Sequence, residues 1–140
     1  MSGFWKTWLD VWCWMILGVG VMFALNAFPT TQSASVLFYD AVSWPIDGNS
    51  AWNDTGRFST ALIGAITIGW ALTIMPLVKC AHQSSGPQVW RSLTFAMLAW
   101  FVIDSFVSVV TGVPGNAVSN AGFVGLFLVP ILWTGVLKGA

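Results

Sequence analysis

Asp104 is a carboxylate inside an apolar run, Ala-Trp-Phe-Val-Ile-Asp-Ser-Phe-Val-Ser-Val-Val-Thr-Gly over residues 99–112. An Asp at the centre of a membrane-spanning helix costs about 2.5–3.5 kcal/mol on translocon scales, so such a residue faces protein or water and has a partner. Two chemistries suit it: a structural ion pair or hydrogen-bonded cluster, or a site for a substrate, an ion or a proton.

The residues around it narrow the choice. Trp100, Asp104, Ser108 and Thr111 follow one another at helical intervals of four, four and three, which puts them on one face of one helix. Asn116 and Asn120 stand one turn apart early in the next apolar segment, Asn26 closes the first one, and Arg57 opens the second. A long arginine at an interface can bend its side chain inward. The expected arrangement is therefore a structural one, in which Arg57 descends to Asp104 and Ser108, Asn116, Asn120 and Asn26 complete a polar cluster. The alternative use of the same cluster is an outward-facing site of a small transporter or channel.

Other chemistries lack their residues. No nucleophile elbow, phosphate loop, HExxH or paired-carboxylate arrangement appears. The only histidine, His82, falls in a polar connection with no metal-ligand spacing beside it, so haem or chlorophyll ligated by histidine is not expected. A lipid, quinone or carotenoid held by shape between aromatic side chains stays compatible with the sequence. Cys13 and Cys80 have no metal spacing and fall on the expected cytoplasmic side, so no disulfide is expected. Asp10, four residues after Lys6, reads as half of a charge pair near the headgroups. Asn53-Asp54-Thr55 matches a glycosylation triplet that is common by chance.

Four elements must position the cluster. Apolar segments run over about residues 9–28, 58–78, 90–111 and 117–137, each near the roughly 20 residues that cross a bilayer core. The first reads as a retained helix and not a cleaved leader, because four Trp crowd its start and no small-x-small cleavage pattern follows closely. Residues 29–56 form a long outer connection, with a short interfacial helix expected from Ser33 to Trp44 and ended by Pro45. Residues 79–89 form a polar inner loop, and Gly112-Val113-Pro114-Gly115 a tight turn. At this register Asp104 lies about 8 residues, or roughly 12 Å, below the outer surface.

The totals agree with this class. Of 140 residues 56% are hydrophobic and 7% charged, where a soluble domain carries about 25% charged residues. Five basic and five acidic residues leave no basic surface for nucleic acid. Lys6, Lys79, Arg91 and Lys138 fall on one side of the four segments and Arg57 on the other, so the positive-inside rule puts both termini in the cytoplasm, as in a bacterial inner membrane.

Small residues recur every fourth position at Ala61, Ala65 and Gly69, and again at Ala117, Ala121 and Gly125, the pattern that lets helix backbones approach. Ten Trp are present. Trp5, Trp8, Trp12, Trp14, Trp90 and Trp133 suit interfacial anchoring or contact with a neighbouring subunit, and Trp70 and Trp100 suit packing at mid-depth. The sequence thus predicts an all-α integral membrane protein, four helices in an antiparallel bundle forming one domain. Its expected role is that of a non-catalytic accessory subunit of a larger membrane assembly, such as a respiratory or photosynthetic complex, or of a homo-oligomer, contacting lipids and other membrane subunits.

Overall fold

The computed structural model describes residues 1–43, 53–84 and 86–138. Five helices are present among them: α1 (Gly3–Ala24), α2 (Ser33–Ser43), α3 (Asp54–Gln83), α4 (Gln88–Val110) and α5 (Pro114–Thr134). Two 3₁₀ turns, Leu25–Ala27 and Pro29–Thr31, link α1 to α2. The segments α1, α3, α4 and α5 are each long and apolar enough to span a membrane. The described residues contain no strand.

Helices α1 and α3 run beyond the bounds expected from the sequence. Helix α1 begins at Gly3 and not Leu9, so the crowded Trp residues are themselves helical. Helix α3 is 30 residues long and continues through Lys79 to Gln83. His82 therefore sits in the last turn of α3, half-buried against the Trp90 ring at 5.0 Å between centroids, and not in a solvated loop. Helix α2 runs to Ser43, and the expected continuation to Trp44 and Pro45 lies outside the described residues.

The helix ends follow local chemistry. Asn53 caps α3, its side chain accepting from the Gly56 N–H at 2.7 Å. Pro114 opens α5 where its missing N–H costs nothing, and Gly135 closes it in the left-handed region. Between α4 and α5, Gly112 has φ +84°, the Val113 N–H reaches the Ser108 carbonyl at 2.8 Å and the Gly112 N–H reaches Val109 at 3.1 Å. These are the two bonds of a Schellman turn, which satisfies the end of α4 before α5 begins.

Helix α1 packs chiefly on α3, and α4 on α5. Contact between α1 and α3 is set by glycines. A Cβ on Gly64 would lie 2.1 Å from the Ala24 nitrogen, and one on Gly20 would lie 2.9 Å from the Ile68 nitrogen. Of the stripe Ala61, Ala65 and Gly69, the first is half-buried and the other two are exposed, and nothing stands within 4 Å of a Cβ at Gly69. Ala121 is exposed in the same way, and Gly125 has open space above it. The spacing of small residues was legible, but Gly64, one register over, carries the close approach because only it lacks the Cβ that would meet backbone.

The tryptophans divide between surface and core. Trp14 and Trp133 are exposed, whereas Trp12 and Trp90 are buried. Trp8 and Trp5 are half-buried, Trp5 stacking near Trp8 and Trp133. Trp12 packs on Phe123 and Phe127 and donates its indole N–H to the Phe123 carbonyl at 3.1 Å. Trp8 donates to the Leu126 carbonyl at 2.8 Å. Pro130, four residues on, has no N–H to give Leu126, so the indole of α1 supplies the bond that the proline removes from α5.

The buried core occupies one half of the bundle. It joins residues 9–16 of α1, 71–81 of α3, 90–97 of α4 and 124–131 of α5, all toward the chain termini. At that end Arg91 donates from Nε and Nη2 to the Leu137 carbonyl at 3.0 and 2.8 Å, tying the start of α4 to the segment after α5.

Candidate functional site

The other half of the bundle is hollow. A cleft of about 860 Å³ is lined by residues 16–23 of α1, 38–42 of α2, 63–70 of α3, 96–108 of α4, Thr111 and Val113 of the turn that follows, and 116–123 of α5. Its volume lies within the roughly 300–1,000 Å³ of small-molecule sites. Aromatic rings form its floor against the packed half: Trp70 and Trp100 stand 5.4 Å apart between centroids, and Trp100 meets Phe123 edge-on at 6.1 Å.

Helix α2 closes the opposite end. Phe23 of α1 meets Phe38 at 5.3 Å and Tyr39 at 5.8 Å, Ser35 donates to the Met22 carbonyl at 3.1 Å, and the Val42 carbonyl would touch any Cβ placed on Gly115. Thus α2 bears on the end of α1 and the start of α5, and Phe38, Tyr39 and Val42 face the cleft.

Among the described residues Asp104 is the one charged residue lining this space. The Schellman turn brings α5 back beside α4, and Asn116 and Asn120, one turn apart, both donate to Asp104 Oδ2, at 2.9 and 2.6 Å. Asn116 also donates to Ser108 Oγ at 2.8 Å, and Asn120 reaches Ser105 Oγ at 3.4 Å. Ser108 in turn donates to the Asp104 backbone carbonyl at 2.7 Å. Oδ2 therefore has two amide donors, while Oδ1 accepts no hydrogen bond among the described residues.

Arg57 is not part of this site. It pairs with Asp54, one turn earlier at the exposed start of α3, and no Lys, Arg or His among the described residues forms an ion pair with Asp104. The expected Arg57–Asp104 pair is replaced for a plain reason: Asp54, three residues away on the same helix, is within reach without burying the guanidinium. Asn26 is also elsewhere. It is fully buried in the 3₁₀ turn against α3, and neither of its side-chain amide atoms has a partner among the described residues.

Trp100, Asp104, Ser108 and Thr111 all line the cleft, together with Trp70, Asn116 and Asn120. Trp5, Trp8 and Trp12 do not; Trp8 and Trp12 border a separate apolar groove of about 270 Å³ beside Phe4 and Leu126. Sequence reasoning missed Ser105, Thr67, Ser119 and Phe123. Ser105 was signalled by adjacency to Asp104, and Ser119 by its place between the two asparagines. Phe123 carries no polar atom, and only its helical spacing of four and three after Asn116 and Asn120 marked it.

Compared with protein-family models, with curated proteins and with solved structures, the chain matches none. The reading of the cleft therefore rests on its own chemistry. One carboxylate with neutral hydroxyl and amide neighbours is no metal-ligand set, and no group of three His, Cys, Asp or Glu capable of holding a metal occurs among the described residues. The arrangement is a polar anchor at the side of an aromatic, largely apolar chamber, suited to holding a molecule that has a polar or charged head and an apolar body.

Proposed function

We propose that the protein is a four-helix membrane protein, its helices antiparallel and both termini cytoplasmic, that binds a lipid-soluble small molecule in the cleft with Asp104 as anchor. The observation that carries this reading is the carboxylate facing an 860 Å³ cleft without a cation beside it. Within a bilayer an ionisable residue facing a cavity is a functional-site candidate by default, and Asp104, though held by Asn116 and Asn120, has no ion pair among the described residues. Antiparallel packing is supported by the pairing of Gly20 with Ile68 and of Phe23–Ala24 with Gly64, and by Asn116 and Asn120 opposite Ser108 and Asp104. The cytoplasmic sidedness rests on the four-to-one distribution of basic residues.

The packed half beneath Trp70 and Trp100 makes this a one-sided site, which suits a binding protein or a transporter in one of its states better than an open channel. Purification in mild detergent followed by mass spectrometry of the extracted small molecules tests the reading. A quinone, carotenoid or other lipid-soluble compound should accompany the wild-type chain and be lost from Ser119→Phe, which places a ring into the cleft. Identical small-molecule content in both would refute it.

A second reading, a non-catalytic subunit of a larger membrane assembly, is favoured by the small residues Ala65, Gly69 and Ala121, which stay exposed and can admit a partner helix. Its test is copurification. The same partner polypeptides should arrive with wild type and be displaced by Gly69→Leu, whose side chain has open space within the chain itself.

A further inference from the structure

The chemistry of the cleft names the class of guest, and this step rests on the binding reading above. We infer that the cleft takes a monovalent organic cation with an aromatic or branched apolar body, its positive charge against Asp104 and its body over Trp70, Trp100 and Phe123.

Three observations converge on a cation. First, the carboxylate has its hydrogen-bonding need met on Oδ2 by Asn116 and Asn120, yet both donors are neutral and the negative charge remains uncompensated. A neutral guest adds another hydrogen bond of the kind already present; a cation adds the attraction that is missing. Second, no Lys, Arg or His among the described residues lines the cleft, so an anionic or phosphate-bearing guest would meet only like charge there. Third, Trp70, Trp100 and Phe123 offer ring faces and edges at the floor, and aromatic rings attract organic cations through their faces.

Divalent inorganic cations are disfavoured by the same inventory. Calcium and magnesium require six or more oxygen ligands or retained waters in a tight shell. Asp104 has only Ser105, Ser108 and the two asparagines nearby, in a chamber far larger than such a shell. The open space and apolar walls demand a guest with bulk.

Equilibrium dialysis of the purified full chain in detergent tests this with three probes: tetraphenylphosphonium, tetraphenylborate as an anion of matched size and shape, and decylubiquinone as a neutral ligand. Saturable binding of tetraphenylphosphonium is expected, weakened at least tenfold in Asp104→Asn, retained in part in Asp104→Glu, and abolished in Ser119→Phe; tetraphenylborate should show no saturable binding. Equal affinity of tetraphenylphosphonium for wild type and Asp104→Asn, or equal affinity of the two tetraphenyl ions, overturns the inference. If decylubiquinone binds saturably and Ser119→Phe blocks it while tetraphenylphosphonium ignores Asp104, the cleft remains a binding site and only the choice of a cation falls. If no probe binds saturably, both readings fall. Should Asp104→Asn prove unstable, Asp104→Glu and the matched anion still decide the question.

Discussion

The bond from the Trp8 indole to the Leu126 carbonyl makes a sharp prediction, because the reason it exists can be removed independently of the bond. Pro130 deletes the N–H that would serve Leu126 within α5, and Trp8 replaces it at 2.8 Å from another helix. Trp8→Phe keeps a ring but removes the donor. A carbonyl left without a donor costs roughly 1–3 kcal/mol. At about 2–4 °C per kcal/mol for chains of somewhat larger size, a fall in Tm of several degrees is expected in reversible detergent unfolding.

Pro130→Ala restores an N–H at position 130 and hence an intrahelical partner for Leu126. In that background Trp8→Phe should cost less by about 1 kcal/mol, a coupling well above the roughly 0.3–0.5 kcal/mol scatter of independent sites. Trp12→Phe is the internal control. Its acceptor, Phe123, has the N–H of Phe127 four residues on, so Trp12→Phe should lose packing without coupling to position 130. Additive effects of Trp8→Phe and Pro130→Ala would refute the view that the indole substitutes for the missing donor.

Other substitutions separate the contacts in use from those the spacing suggests. Gly64→Ala should destabilise the chain by several kcal/mol, since its Cβ would meet the Ala24 backbone, whereas Gly69→Ala should be neutral or slightly stabilising; thermal unfolding of the pair distinguishes them. Gly115→Ala should displace α2, read as increased proteolytic cleavage between residues 25 and 53, because the new Cβ would lie 2.2 Å from the Val42 carbonyl. Arg57→Ala should change stability by less than about 1 kcal/mol and leave guest binding intact, as its partner Asp54 is 92% exposed; a loss of binding would return Arg57 to the site.

The polar face was legible because it lies within one helix. Helical spacing alone put Trp100, Asp104, Ser108 and Thr111 together, and the Gly112–Pro114 signal fixed a short turn that brings Asn116 and Asn120 back to them. What the sequence hid depends on relations between helices. Two carboxylates compete for Arg57, and periodicity does not weigh the local Asp54 against the distant Asp104. Ala61, Ala65 and Gly69 make as good a stripe as the positions around Gly64, and only the placement of α1 distinguishes them. Trp12 and Trp90 looked interfacial by position, yet an indole that finds a carbonyl or a ring partner inside can be buried with its polar edge satisfied.

The location of the cleft follows from how side-chain volume is distributed along the four long helices. Toward the termini, α1, α3, α4 and α5 present Leu9, Trp12, Ile74, Met97, Phe127 and Ile131 to one another, and these fill the interior. Past the layer of Trp70, Trp100 and Phe123, the inward positions of α4 and α5 become Ser108, Thr111, Asn116, Ser119 and Asn120, which are too short to close the same gap. Helix α2, wedged against Gly115 and Phe23, covers that end without filling it. A bundle whose only concern was stability would place large apolar side chains there, since cavities and unpaired charges both destabilise. Small polar residues and a lone carboxylate in the hollow half together cost stability that a guest would restore, and this coupling predicts that tetraphenylphosphonium raises the Tm of the wild-type chain by more than it raises that of Asp104→Asn at the same concentration.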